Sequence, residues 1–165
     1  MLRPILIVSA LVFVLTEFGM AQATVRLEPA KLDGPRLLQD QTRETAIRDY
    51  LQSWKSLKAA LYQNRPNLLD PDFVGTAKAK LTDTIQQQEM LGISTEYQDR
   101  SHDIQVVFYS PEGLSIEMID TVEYDMQILD HDKVKATQHM QAKYFIVLTP
   151  AEIRWRVRVF QGAPR

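Results

Sequence analysis

From Leu114 to Leu129 apolar and polar residues take turns along the chain. Leu114, Ile116, Met118, Val122, Tyr124, Met126 and Ile128 share one parity, and Ser115, Glu117, Thr121, Glu123, Asp125 and Gln127 share the other. A period of two over that length belongs to a β-strand with one dry and one wet face. The pattern returns downstream, with Val134, Ala136, Met140, Ala142, Tyr144, Ile146 and Leu148 inside and Lys135, Thr137, His139, Gln141 and Lys143 outside. A last strand sets Ile153, Trp155, Val157 and Val159 against Arg154, Arg156 and Arg158, and Ile104, Val106 and Phe108 make a shorter first one.

The turns set the register, because a slip of one residue would turn every apolar side chain to water. Pro111-Glu112-Gly113 suits a three-residue hairpin loop in which Gly113 supplies the positive φ. Parity then asks for an odd loop, Asp130-His131-Asp132, and an even one, Pro150-Ala151. The last loop would pair Leu148 with Ile153, Ile146 with Trp155 and Tyr144 with Val157. The prediction is a four-stranded antiparallel meander whose long strands, about fifteen residues where five or six is usual, must twist and curl.

Ahead of the meander the spacing becomes helical. Ile47, Tyr50, Leu51, Trp54, Leu57 and Leu61 form one stripe from Asp40 to about Gln63, ended by Asn64-Arg65-Pro66-Asn67. A second helix is expected from Asp70 as cap and Pro71, with Phe73, Val74, Ala77, Leu81, Ile85 and Leu91 as its stripe and Gly92 as its stop. Gln86-Gln87-Gln88 reads as a solvated face of that helix, and Ser94 to Ser101 as a bulged extension of the first strand. Two N-terminal amphipathic helices packed on the concave face of a curved sheet make an α+β domain.

Residues 1–23 read as a secretory signal. Arg3 gives the positive start, Ile5 to Leu15 an apolar run broken by Ser9, and Ala21-Gln22-Ala23 a small-residue cleavage pattern. A spanning anchor, the alternative, needs about 20 apolar residues, and Glu17 interrupts too early. The expected divisions are thus a signal at 1–23, an extended arm at 24–39, one domain at 40–161 and a tail at 162–165. The expected destination is periplasmic or secreted, without stable membrane insertion after cleavage. No cysteine is present, so a disulfide framework and cysteine chemistry are excluded. Loss of the signal removes Arg3 and Glu17 together, so the net charge stays at −2, which gives no push towards nucleic acid.

The helix segment Asp49-Tyr50-Leu51-Gln52-Ser53-Trp54-Lys55, the second helix, the long strands and the closing Arg154-Trp155-Arg156-Val157 together resemble the nuclear transport factor 2-like superfamily. That cone-shaped α+β fold also holds ketosteroid isomerase and scytalone dehydratase. The resemblance covers about Asp40 to Gln161 and implies a fold and frequent homodimers, not an activity.

Asp120 and Gln138 are the two polar residues on the apolar parity. The Pro111–Gly113 loop places Asp120 opposite Ile104, with His102 one step away on the same face. A carboxylate facing an apolar hollow becomes harder to ionise and suits a general base. Asp120 with His102 is therefore the weak catalytic candidate, against an Asp120 that is structural, turned outward or paired with Arg100. Trp54, Met118, Tyr124, Gln138, Tyr144 and Trp155 are expected to line a pocket, with Tyr124 bonded to Gln138. Phe145 and Val147, across from Arg156 and Arg154, are the candidate dimer face, with Ile119 and Phe160 on the same side. Asp130-His131-Asp132 lies at a hairpin tip where side chains splay, so turn chemistry explains it and no metal site is expected. Nucleophile elbows, phosphate-binding glycine loops and paired zinc histidines are missing, and no cofactor is expected. The leading reading is an exported domain that binds a small apolar ligand or a protein without catalysis. The alternative is an isomerase- or dehydratase-like acid–base enzyme built on Asp120.

Overall fold

The computed structural model describes residues 22–32 and 36–162. The expected signal segment falls outside the described residues except for Gln22 and Ala23, and so do Gly34, Pro35 and the last three residues of the tail. Eight elements follow in order: strand β1 (Thr24–Leu27), helix α1 (Asp40–Gln63), a 3-10 turn (Pro66–Leu69), helix α2 (Gly75–Met90), and strands β2 (Ile93–Tyr109), β3 (Ile116–Asp130), β4 (Lys133–Pro150) and β5 (Trp155–Gly162). The strands form one sheet in the order β1-β2-β3-β4-β5. The α+β class and the helix-covered curved sheet are as expected; the strand count is not. Part of the expected arm is β1, which pairs parallel to β2, so the sheet is five-stranded and mixed rather than a pure antiparallel meander.

Two helices cross one face of the curled sheet, contacting β2 on one side and β5 on the other. The stripe of α1 delivers Ile47, Tyr50, Trp54, Leu57 and Leu61 to the core, where they meet Ile104, Val106, Met118, Val122, Ile146, Leu148 and Val157. Asn64 ends α1 in the left-handed region (φ 52), and its side-chain amide donates to the Ile93 carbonyl at 2.8 Å.

The second helix begins later than Asp70-Pro71 suggests. Residues 70–74 are recruited by the edge of β5: the Val74 amide donates to Val157 and the Val157 amide donates to Asp72. Backbone held in that ladder cannot wind into a helix, so α2 starts at Gly75. Leu91, expected in its stripe, is exposed, while Gln88, expected in water, is buried. The Gln88 amide donates to the Leu61 carbonyl and to Asn64 Oδ1, both at 2.5 Å, and accepts from Thr95 at 2.9 Å. One side chain thus ties the end of α1 and the start of β2 to α2.

The hairpins differ from expectation in their loops, and bulges make up the difference. The β2–β3 loop runs from Ser110 to Ser115, with Gly113 at φ 75 as expected; Ser110 Oγ accepts from the Leu114 and Ser115 amides, and Leu114 is exposed. The β3–β4 turn is two residues rather than three, His131-Asp132, both at positive φ, and a shift at Ile128/Leu129 restores the parity. Tyr124 therefore faces Met140, not Gln138. The β4–β5 loop is four residues, closed by the Ala151 amide on the Arg154 carbonyl, and Ile153 leaves the strand for solvent. Leu148 pairs with Val157 and Ile146 with Phe160, and Phe145 lies opposite Gln161 and Val147 opposite Val159 instead of the arginines. Phe160 turns inward to stack on Tyr144 rather than lying on the convex face.

Because β5 reaches only the stretch from Tyr144 onward, β4 from Lys133 to Lys143 is a free edge among the described residues. Lys133 to His139 are exposed there, Val134 and Ala136 included, since no helix covers that end. Gln88→Ala is expected to lower unfolding stability by about 2 kcal/mol, because the Leu61 carbonyl and Thr95 hydroxyl lose their buried partner. Urea denaturation checks it; a change within error would remove Gln88 as the tie.

Candidate functional site

A shift in the β2–β3 register between Asp99 and Ser101 makes Arg100 the extra residue of a bulge. Before it odd-numbered residues of β2 face the helices, and after it, as far as Val106, even-numbered ones do, so Asp99 and His102 point to the same side. Arg100 swings out to Asp125 (2.7 Å) and not to Asp120. Downstream of the bulge Ile104 pairs with Asp120, the register that the sequence analysis arrives at.

Asp120 is fully buried. Its Oδ2 accepts from the Tyr50 hydroxyl and from His102 Nδ1, both at 2.7 Å. On the other side of the ring, His102 Nε2 lies 3.9 Å from Asp99 Oδ2, which also receives Lys58. Burial alone would strip His102 of its proton; the bond to Asp120 and the nearby Asp99 outweigh it and push the imidazole up to about 9. Desolvation likewise opposes the Asp99 charge, but His102 and Lys58 hold its carboxyl below the usual range. Burial, reinforced by Asp120, pushes the Tyr50 phenol well above its ordinary value, so it stays a donor. Two carboxylates, an imidazolium and an ammonium therefore balance. With its proton retained at neutral pH, His102 is a poor base.

Aromatic side chains seal this quartet. The Trp54 ring meets His102 edge-on at 5.3 Å and stands 5.7 Å from Tyr144 and Phe160 and about 6 Å from Tyr97 and Tyr124. Tyr144 stacks on Phe160 at 4.6 Å, and the Tyr124 and Tyr144 hydroxyls bond at 3.2 Å. Burial pushes Tyr97 up to about 12 and Tyr144 higher still. Asp120 Oδ1, Asp99 Oδ1 and Trp54 Nε1 are buried without hydrogen-bond partners.

Open space lies elsewhere. A groove of about 890 Å³ runs between α1, β1 and the β4–β5 loop, with Val25, Leu27, Ile47, Leu51 and Ile153 as its apolar lining. Asp49 and Asp72 sit at its base, already engaged: Asp49 accepts the Trp155 amide and Arg48, and Asp72 accepts Ser56 and Arg154. The convex face of the sheet carries Ile119, Phe145, Val147 and Val159, partly exposed, with no element packed over them among the described residues.

No protein-family model matches the sequence, and no characterised relative is found by sequence. Solved structures do match in shape. The intermembrane-space region of the chloroplast protein ARC6 aligns with a TM-score of 0.63 at 17% identity, over 79% of this chain and 100% of that one. A protein from Novosphingobium aromaticivorans described as a scytalone dehydratase aligns with a TM-score of 0.51 at 11% identity, over 76% of this chain and 89% of that one. The chain has the nuclear transport factor 2-like fold.

The nuclear transport factor 2-like cone brings together Asp120, His102, Trp54, Tyr124 and Tyr144. Met118 is buried in the same core, Trp155 is buried where β5 begins, and Gln138 is exposed opposite Met126. None of these lines the groove. Phe145 and Val147 share the convex face, whereas Arg154 reaches Asp72 and Arg156 reaches the Asp70 and Phe73 carbonyls at the β5 edge. At the hairpin tip Asp130 takes His131 and Lys135, and among the described residues no group of three or more His, Asp or Glu is arranged for a metal ion. Sequence reasoning missed Asp99, Lys58 and Tyr50. Tyr50 looked like one more member of the helical stripe; Asp99 was hidden by the bulge that reverses parity beside it.

Because the folded value of His102 lies above the ordinary 6.5, its contribution is complete below pH 6.5 and fades as pH rises through about 9. The thermal midpoint is expected to fall over that window, with a stability loss on the order of 3 kcal/mol. His102→Gln should flatten the profile, and calorimetry across pH checks both. An unchanged slope in the variant would deny His102 its proton.

Proposed function

We propose that this chain is an exported, non-catalytic binding domain that meets its ligand or partner on surfaces outside the cone. The observation that carries this reading is the placement of Asp120 and His102: both are buried, mutually neutralised and roofed by Trp54 and Tyr50. A general base must come within hydrogen-bond reach of a substrate proton, and here Oδ2 of Asp120 already holds two donors while the unpaired Oδ1 is sealed from solvent inside the core. Solvent instead meets a groove beside β1 and a bare convex sheet. Export rests on the signal-like residues 1–23 and is tested by sequencing the N-terminus of the secreted protein, which should begin at Thr24. No described helix is long and apolar enough to cross a membrane. A homodimer through Phe145 and Val147 belongs to the same proposal. Fold neighbours do not decide between binding and catalysis, because one fold hosts many activities.

One observation favours the second reading, an acid–base enzyme. Asp120 Oδ1 and Trp54 Nε1 are unpartnered polar atoms in an apolar interior, which a substrate entering the cone would satisfy.

Two tryptophan signals separate these readings. Trp54 reports on the cone, and the Trp155 amide, bonded to Asp49, reports on the groove. In a nitrogen-15 NMR screen of fatty acids, small acids and peptides against the full chain, ligands are expected to move the Trp155 amide and leave the Trp54 indole in place. Shifts confined to Trp54, together with turnover that Asp120→Asn abolishes, would sink the binding reading. Independently of ligand, Asp120→Asn should cost roughly 3 kcal/mol in urea unfolding, since it leaves a buried imidazolium without its closest counter-charge.

A further inference from the structure

β1 is the end strand of the sheet, and its outer side has no neighbour among the described residues. In a parallel ladder alternate residues direct their N–H and C=O groups to the neighbour, and the residues between direct theirs away. The Glu28 amide donates to Ile104, so Arg26 is its in-phase companion on the β2 side, and Val25 and Leu27 turn their backbone groups outward. The side chains of those two residues share the face of His102 and Ile104, towards the helices, yet Val25 is 41% and Leu27 52% exposed. Free edge groups and uncovered apolar side chains therefore coincide at the same two residues, along one wall of the groove.

The opposite wall is a single stripe of α1: Glu44, Ile47, Arg48, Leu51, Gln52 and Lys55, at helical spacing. Its direction is set by contacts along β2. Lys58 meets Asp99, Trp54 meets His102, and Tyr50 meets Asp120 opposite Ile104, so α1 runs antiparallel to β2 and to β1. Lys55 consequently lies towards the Thr24 end of the groove and Glu44 towards the Leu27 end. Asp49 and Asp72 are consumed by internal bonds, and among the described residues Lys55 has no carboxylate partner. The unpaired charge at that end is the Lys55 ammonium, with Arg154 held beside it on Asp72, whereas Arg48 lies one turn from Glu44 and is paired with Asp49.

We propose that an extended segment of a partner protein adds to β1 as a sixth strand, lays alternate apolar side chains into the groove and sets a carboxylate beside Lys55. This rests on the binding reading above and names its site and its class of partner. Backbone bonds to Val25 and Leu27 would supply affinity, the apolar floor a preference for branched side chains at alternate positions, and the Lys55 end a preference for acid.

The test uses the full chain and fluorescent synthetic peptides of about seven residues, alternating valine with threonine and carrying glutamate at one end or the other. Fluorescence anisotropy should show saturable binding by one of the two. N-methylation of alternate backbone amides, which removes donors and leaves side chains intact, should weaken it at least about tenfold, a change of ~1.4 kcal/mol. Leu27→Asp should do the same, and Lys55→Glu should transfer preference to a lysine-ended peptide; both positions are exposed, and circular dichroism checks that the variants stay folded. Equal binding of the N-methylated peptide, no binding by either glutamate peptide, or a fatty acid that holds the groove against them overturns the proposal. If the peptides fail while other ligands still move the Trp155 amide or the Phe145 and Val147 face, this assignment falls and the binding reading survives. Turnover dependent on Asp120 would remove the binding reading whatever the peptides do.

Discussion

Four charges that cancel inside a dry cone hold this molecule together. Asp120, His102, Asp99 and Lys58 join the centre of the sheet to α1, and each would be costly to bury alone. Their positions come from a single inserted residue in β2. Without the bulge at Arg100, Asp99 and His102 would lie on opposite faces, and one of them would meet water. Local backbone irregularity, polar burial and helix docking are therefore one constraint seen at three scales. Trp54 and Tyr50, one turn apart on α1, act as the lid over it.

That arrangement also orders the functional arguments. An Asp–His pair in an apolar cone has the ingredients of proton transfer, yet the same contacts that charge His102 occupy Asp120. In the folded chain the pair is part of a buried cluster of balanced charges whose remaining bonding capacity is Asp120 Oδ1, Asp99 Oδ1 and the Trp54 indole. In the proposed binding reading, interaction with the outside falls instead to the places where the sheet ends or stands bare.

Much of this was legible in the residues. Alternation from Leu114 to Leu129 and from Met140 to Leu148 reported one buried face, and Gly113 with the parity of the flanking strands placed Asp120 opposite Ile104. What escaped was whatever breaks a period. β1 is exposed at all four residues and so shows no alternation to read. Bulges at Arg100, beyond Ile128 and after Val147 each reverse parity, which concealed Asp99, lengthened the last loop and turned Phe160 inward. Asp70-Pro71 carries a helix-start signal that β5 overrides by claiming the backbone of 72–74. Gln88, third in a run of glutamines, gave no sign that tertiary contacts would draw it inside.

The uncovered margin of β4 has a consequence for life in a crowded compartment. A long unpaired strand is a template on which another molecule's strand can zip, and such templates lead to fibrils. Here the margin bears Lys133, Lys135 and Lys143, with His139 between the last two. Two copies brought margin to margin would press like charges together, so these lysines act as a guard against self-templating while the opposite end of the sheet is left unguarded.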